Sequence, residues 1–258
     1  MSEKVATGRI CLITGAASGI GRAVSKTLAG DSCGNTIIMA DMDELNLQGA
    51  VEVVSAGKHA NATVASITMD ITHLASIRDG AKLVSKQYGH LDVLMNNAGI
   101  YRSNLPLEND LLTHFHTNVV GNAQVTETFT PLLKKAPKGA YVLYTSSGLG
   151  SLKESSPGGR FAGDLLGWET IGYRVSKAAL NMVAVEDARK LRQCGIKVFA
   201  VCPGLVESNI RGTLEEERTA RGKAGSAGSV GPFVQSILAG NYDSHVGGFI
   251  RDGGVWDW

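Results

Sequence analysis

Tyr173 and Lys177 stand four residues apart in Tyr173-Arg174-Val175-Ser176-Lys177, where a helical pattern opens. Residues i and i+4 share a helix face, so both side chains project toward one place. A phenol with its ordinary pKa near about 10 is a poor base at neutral pH, and a neighbouring ammonium favours the phenolate. Such a pair can trade a proton with the oxygen of a carbonyl–alcohol couple. A Tyr-x-x-x-Lys spacing by itself is weak evidence, because many solvated helices contain one. The rest of the chain has to decide.

Two strand ends supply support. Tyr144-Thr145-Ser146-Ser147-Gly148 closes an apolar run, and a serine hydroxyl there could polarise a substrate oxygen beside Tyr173. Asn96-Asn97-Ala98-Gly99 closes another, and its small polar residues could line the same crevice. Ordinary turn chemistry is the competing explanation for the asparagines.

A third junction holds Thr14-Gly15-Ala16-Ala17-Ser18-Gly19-Ile20-Gly21, between the first strand-like run and the first helical pattern. Glycines there admit a tight turn and let backbone N–H groups and a helix N-terminus approach a pyrophosphate. A glycine cluster alone could be only a turn; its place at the first strand-to-helix junction favours a dinucleotide. Asp41 ends the second strand-like run, 26 residues after Gly15. A carboxylate there can accept from both adenosine ribose hydroxyls and repel a 2′-phosphate. Arg22 could compensate such a phosphate, so NAD(H) is favoured and NADP(H) stays possible. A nicotinamide cation would add to the pull of Lys177 on the phenol.

The elements that must position these residues follow a simple rhythm. Short apolar runs at 9–14, 36–40, 63–67, 91–96, 140–145, 197–202 and 248–250 alternate with helical patterns at 19–29, 43–56, 73–88, 110–135, 172–193 and 230–238. Gly89 and Gly195 punctuate two of the helix ends. The alternation predicts an α/β fold: a doubly wound, seven-stranded parallel sheet of Rossmann type with helices on both faces. Two stretches lack a period, 148–171 and 208–229, and long loops in a compact domain are usually functional. The rhythm resumes after each, so residues 1–258 read as one domain.

Composition narrows the function classes. With 25 basic and 24 acidic side chains the net charge is +1, which leaves no field to gather nucleic acid or an anionic membrane. No membrane-spanning run and no secretory leader is legible, and Cys11, Cys33, Cys194 and Cys202 show no CxxC pairing. Reduced thiols in a soluble cytoplasmic protein are the expectation, with no metal.

Taken together, TGAASGIG, NNAG, SS, YRVSK and PGLVES stand in the order found in the short-chain dehydrogenase/reductase family, which this chain resembles over nearly all its length. The resemblance implies that Gly15, Ser18, Gly19, Ile20 and Gly21 hold the pyrophosphate, Asp41 the ribose and Asp70 the adenine. It implies that Asn97 and Gly99 form the cofactor wall, that Val206 meets the carboxamide, and that Ser208 stands where the family has threonine. Tyr173 would be the acid/base, Lys177 would lower its pKa and hold the nicotinamide ribose, Ser147 would orient the substrate, and Asn118 would hold a relay water.

There are departures. Cys202 replaces the asparagine usual before Pro203, and Ser147 and Tyr173 lie 26 residues apart, about twice the commonest spacing. The extra residues, roughly 152–168, must fold over or beside the substrate crevice. The tail Gly247-Gly248-Phe249-Ile250-Arg251-Asp252-Gly253-Gly254-Val255-Trp256 is similar to the carbonyl-reductase-like branch, whose members often reduce bulky apolar carbonyls. Some members with long insertions are monomers, so homodimer and monomer both stay open.

Other features have plainer explanations. His114 and His116 lie two apart on a helical pattern and do not face each other. Trp168, Trp256 and Trp258 could line a pocket or simply pack under a loop. Glu215-Glu216-Glu217-Arg218 reads as a solvated face, against a lid role for 208–229. The expected activity is interconversion of a secondary alcohol and a ketone or aldehyde, with direction open. The alternatives are an NADPH-dependent carbonyl reductase, a non-redox lyase or isomerase on the same scaffold, and a nucleotide-sensing protein that has lost catalysis.

Overall fold

A computed structural model describes residues 8–101, 105–162 and 170–258. The sheet is built from β1 (Ile10–Thr14), β2 (Thr36–Asp41), β3 (Thr63–Thr68), β4 (Val93–Asn96), β5 (Tyr141–Thr145), β6 (Lys197–Cys202), β7 (Phe249–Arg251) and β8 (Gly254–Val255). Its order is β3-β2-β1-β4-β5-β6-β7-β8. All neighbours pair in parallel except β7 and β8, a short antiparallel hairpin turned at Gly253. The expected seven-stranded parallel sheet therefore becomes eight strands, because the tail after β7 folds back on it. That turn is local to Asp252-Gly253, where φ of +73° at Gly253 favours glycine.

The alternation along each strand explains why both faces are covered. Leu12, Ile38 and Ala40 enter one core, while Cys11, Ile13, Ile37 and Met39 enter the other. Successive strand side chains point to opposite faces, so continuous apolar runs demand helices on both. On one face lie α3 (Leu74–Tyr88), α5 (Asn122–Leu133) and α7 (Ile171–Leu191), which bury Ile77, Phe129 and Leu180. On the other lie α1 (Gly19–Ala29), α2 (Glu44–Ala56) and α9 (Val230–Leu238), with Leu28, Val54 and Val234.

The helix expected over 110–135 is three pieces: α4 (Leu107–Phe115), a π-helical stretch His116–Gly121, and α5. A π stretch widens the helix locally and re-aims its side chains. Here it carries Asn118, whose side chain turns inward to partners far along the chain. Periodicity could not show this, because the hydrophobic pattern runs through. Two short helices, α6 (Leu152–Ser155) and α8 (Glu215–Arg218), interrupt the segments that lacked a period.

Strand order reverses at β1, which has β2 on one side and β4 on the other. In open parallel sheets the crevice beyond the carboxyl ends of the strands at such a reversal is where ligands bind.

Candidate active site

A cavity of about 960 Å³ opens at that crevice. Its floor begins at the turn after β1, where Gly15 and Gly19 hold φ of +65° and +50°. A Cβ on Gly21 would stand 2.3 Å from the Gly15 carbonyl oxygen, and one on Gly15 would stand 2.9 Å from Ala98 Cα. The turn thus depends on glycine at both positions. Asn97 ties the turn to β4, donating from Nδ2 to the Thr14 carbonyl at 2.9 Å and to the Gly15 carbonyl at 3.2 Å. Turn chemistry thus claims the Asn97 amide, although the residue also lines the cavity.

Asp41 lines the cavity at the end of β2, and its carboxylate accepts from Ala17 N at 3.0 Å and from Asp43 N at 3.2 Å. Arg22 is exposed and does not line the cavity. Asp70 also lines it, but its carboxylate is engaged in its own turn. Oδ1 accepts from Thr72 N and Thr72 Oγ1 at 2.8 and 2.7 Å, and Oδ2 lies 2.9 Å from His73 Nδ1. Burial raises its pKa, and these bonds outweigh burial, so the net direction is down.

At the other end of the cavity α7 delivers Tyr173 and Lys177, one turn apart and both buried. The helix start is held from outside: Asp110 Oδ2 accepts from Gly172 N at 3.0 Å, and His114 Nδ1 sits 3.0 Å from Asp110 Oδ1. The Tyr173 ring packs edge-on to Tyr101 at 4.7 Å and to His114 at 6.5 Å. His114 is therefore a buried packing residue on α4. Among the described residues no cluster of three metal-ligating side chains occurs.

Lys177 Nζ donates to the Thr145 carbonyl at 2.7 Å and lies 5.6 Å from the Tyr173 ring centroid. Ser146 Oγ donates to Asn181 Oδ1 at 2.5 Å. Its neighbour Ser147 faces Tyr173 and hydrogen-bonds with it. Asn118 brackets Ile100: Oδ1 accepts from Ile100 N at 2.8 Å, and Nδ2 donates to the Ile100 carbonyl at 2.9 Å and to Ser176 Oγ at 2.9 Å. Gly99 belongs to this packing, since a Cβ there would meet Asn118 Oδ1 at 2.8 Å. The Asn118 side chain thus braces the loop after β4 against α7.

The electrostatics depart from expectation in one respect. Burial pushes the Tyr173 phenol well above its usual value, with the Ser147 hydrogen bond opposing, and burial pushes Lys177 down to about 8. Spacing suggests that Lys177 lowers the tyrosine pKa, but in the folded chain desolvation wins. The ammonium faces the ring and a carbonyl, and both groups leave water. A cationic ring placed in the cavity would act in the opposing direction.

Beyond β6, Val206 is buried and pairs with Gly225 in an isolated bridge. Ser208 Oγ accepts from Ile210 N at 3.3 Å, and lies 3.0 Å from where a Gly19 Cβ would be, so this segment closes on the glycine turn. Ile20 and Ser18 line the same space. Ser147, Tyr173 and Lys177 line one end of the cavity, Asn118 lies behind the Ile100 loop outside its lining, and Gly15, Ser18, Ile20, Asn97, Gly99, Val206, Ser208, Asp41 and Asp70 line the rest.

Two neighbours of Tyr173 escaped sequence reasoning. Tyr101 follows the Asn96–Gly99 motif by two residues, and Arg211 lies three beyond Ser208; both are buried and line the cavity. A cation inside a stretch without a period carries no signal of where it ends up. Arg160 and Phe161, from the extra residues before Tyr173, also line the cavity, as does Trp256, while Trp258 stacks on Phe249 at 5.5 Å. Trp168 lies outside the described residues.

A glycine-lined turn at a sheet reversal, together with a buried tyrosine and lysine and a half-buried serine, defines a dinucleotide-type oxidoreductase scaffold. Residues 9–219 match the family model for short chain dehydrogenase. A short-chain dehydrogenase of Penicillium roqueforti, anuI, is 35% identical over 211 residues, covering 80% of this chain and 82% of that protein. Carbonyl reductase [NADPH] 1 of Sus scrofa is 29% identical over 289 residues, covering 97% of this chain and 94% of that protein. The NADPH-bound carbonyl reductase from chicken fatty liver superposes with a TM-score of 0.80 at 28% identity, covering 98% of this chain and all of that one. The chain belongs to the short-chain dehydrogenase family. It is an NAD(P)-dependent oxidoreductase of CH–OH and C=O groups.

Proposed function

We propose that the protein interconverts a secondary alcohol and a ketone or aldehyde, with Tyr173 as acid/base and NAD(H) as the preferred cofactor. The observation that carries this reading is the meeting of Tyr173, Ser147 and Lys177 in the cavity that the glycine turn opens. When bound, the nicotinamide supplies or removes the hydride. Tyr173 gives or takes the proton at the substrate oxygen, and Ser147 hydrogen-bonds that oxygen. Lys177 would hold the nicotinamide ribose, Asp41 the adenosine ribose, and the turn Gly15, Ser18, Gly19, Ile20, Gly21 the pyrophosphate. Asn97, Gly99, Val206 and Ser208 would wall the nicotinamide half, and Asp70 would bound the adenine. Asn118 would support Lys177 through the Ile100 loop.

Asp41 in the cavity and Arg22 outside it favour NAD(H). The NADPH bound to the chicken carbonyl reductase keeps NADP(H) as the second reading. Titration with NADH and NADPH, followed by a screen of ketones and alcohols for nicotinamide absorbance change, decides both points. Reduced carbonyls with a clear NADH preference would support the reading, and no carbonyl- or alcohol-dependent change would sink it.

The four cysteines are free, as in a chain kept in a reducing cytoplasm. Among the described residues no helix is long and apolar enough to cross a membrane. Leu107, Leu112 and Phe115 of α4, with Val175 and Met182 of α7, are exposed apolar side chains on two packed helices; a homodimer would bury them and a monomer would leave them in water.

A further inference from the structure

Charge is divided along the cavity. Asp41 ends β2 and Asp70 follows β3, at one end of the sheet order. Arg160, Arg174, Arg211, Lys223 and Arg251 line the half beyond β5, where Asp252 is the single carboxylate among the described lining residues. The acidic half suits ribose hydroxyls. The cationic half surrounds Tyr173, where the reacting carbon must lie.

Arg211 is the deepest of these cations, only 7% exposed. Its Nη2 donates to the Val206 and Arg218 carbonyls at 2.6 and 2.5 Å, and its Nε to the Glu217 carbonyl at 3.1 Å. Those bonds hold the guanidinium in one orientation before any ligand arrives, which lowers the ordering cost of binding. The Tyr101 and Tyr173 hydroxyls are close enough to interact with its charge. Nearer the mouth, Arg160 and Arg251 lie over the Trp256 ring, at 5.7 and 5.2 Å from its centroid. Trp256 in turn packs against Phe161 at 5.7 Å. An apolar wall thus carries a cationic edge.

We propose that the substrate is a carboxylate-bearing carbonyl or alcohol, its apolar body on Trp256 and Phe161 and its carboxylate held by Arg211. Backbone carbonyls take Nε and Nη2 of Arg211, so the attraction is one of charge rather than of a two-pronged fork, and cations on low-dielectric walls draw anions inward. The pyrophosphate of a dinucleotide would take the amide cradle at the glycine turn. The inference rests on the oxidoreductase reading of the same cavity.

The test separates the two. Calorimetric titration of the full chain, with and without NADH, compares 4-phenylbutyrate with 4-phenylbutyramide, which share a body and differ in charge. The acid should bind about tenfold tighter, a ratio that falls to about one in Arg211→Met and is partly restored in Arg211→Lys. Equal binding of acid and amide, or a ratio untouched by Arg211→Met, overturns the proposal. So does an Arg211→Met variant that loses NADH affinity as strongly as acid affinity, since the guanidinium would then serve the cofactor. Should Arg211→Met fail to fold, the exposed pair Arg160→Gln/Arg251→Gln decides: a roughly threefold drop in the ratio supports the proposal and no drop overturns it. A protein that prefers the acid but moves no hydride to any carbonyl would fail the oxidoreductase reading alone.

Discussion

Lys177 on α7 donates its ammonium proton to the carbonyl oxygen of Thr145 at the end of β5, at 2.7 Å. One hydrogen bond thus fixes the helix that carries Tyr173 to the strand end that carries Ser147. It also draws a cation out of water, and burial lowers its pKa from 10.5 to about 8.

That shift has a signed consequence for stability. For a base whose folded pKa is depressed, the unfolded state binds more protons between the two values, so stability rises with pH there. The cost is fully present below about 8 and is relieved toward 10.5. Tyr173, pushed above 10, contributes in the opposite sense only at higher pH. Urea unfolding at about pH 7 and about pH 9.5 should show the wild type gaining about 2 kcal/mol relative to Lys177→Met. A constant difference between the two proteins would contradict the assignment.

Tyr173→Phe removes the one proton-trading hydroxyl and keeps the ring against Tyr101. Turnover should fall by about 10²–10⁴-fold, the ordinary contribution of general acid/base catalysis, with NADH affinity unchanged within about twofold. Single-turnover absorbance and cofactor fluorescence measure the two separately. Retained turnover would move the proton to another group.

Asp41→Asn keeps an oxygen for the Ala17 amide while removing the charge. The NADH-to-NADPH affinity ratio should narrow by about tenfold with little change in melting temperature, because the turn keeps its hydrogen bond. Asp41→Ala should narrow the ratio too and also cost about 1 kcal/mol. An unchanged ratio in both variants would show that another group sets the preference.

Gly172→Ala tests the clamp on α7. The added Cβ would stand 2.4 Å from Asp110 Oδ2 and 2.6 Å from His114 Nδ1, two groups held in place by each other. Overpacking of this kind costs about 1–3 kcal/mol. Denaturant unfolding should report that loss together with a fall in kcat, since the first turn of α7 positions Tyr173. Wild-type stability would show that α4 yields freely.

The strand-and-helix rhythm, the glycine turn and the Tyr173–Lys177 spacing were legible in the chain alone, because each is a property of neighbours in sequence. Helices 19–29 and 230–238 fell where their apolar periods placed them. Periodicity could not reveal the π stretch at Asn118, since the bonds that turn its side chain reach Ile100 and Ser176, distant in sequence. Nor could it show that the Asn97 amide holds the glycine turn, or that Arg211 enters the cavity beside Tyr173. The direction of the Tyr173 pKa was likewise hidden. Desolvation is a sum over every segment packed around a group, and only the folded chain brings those segments together.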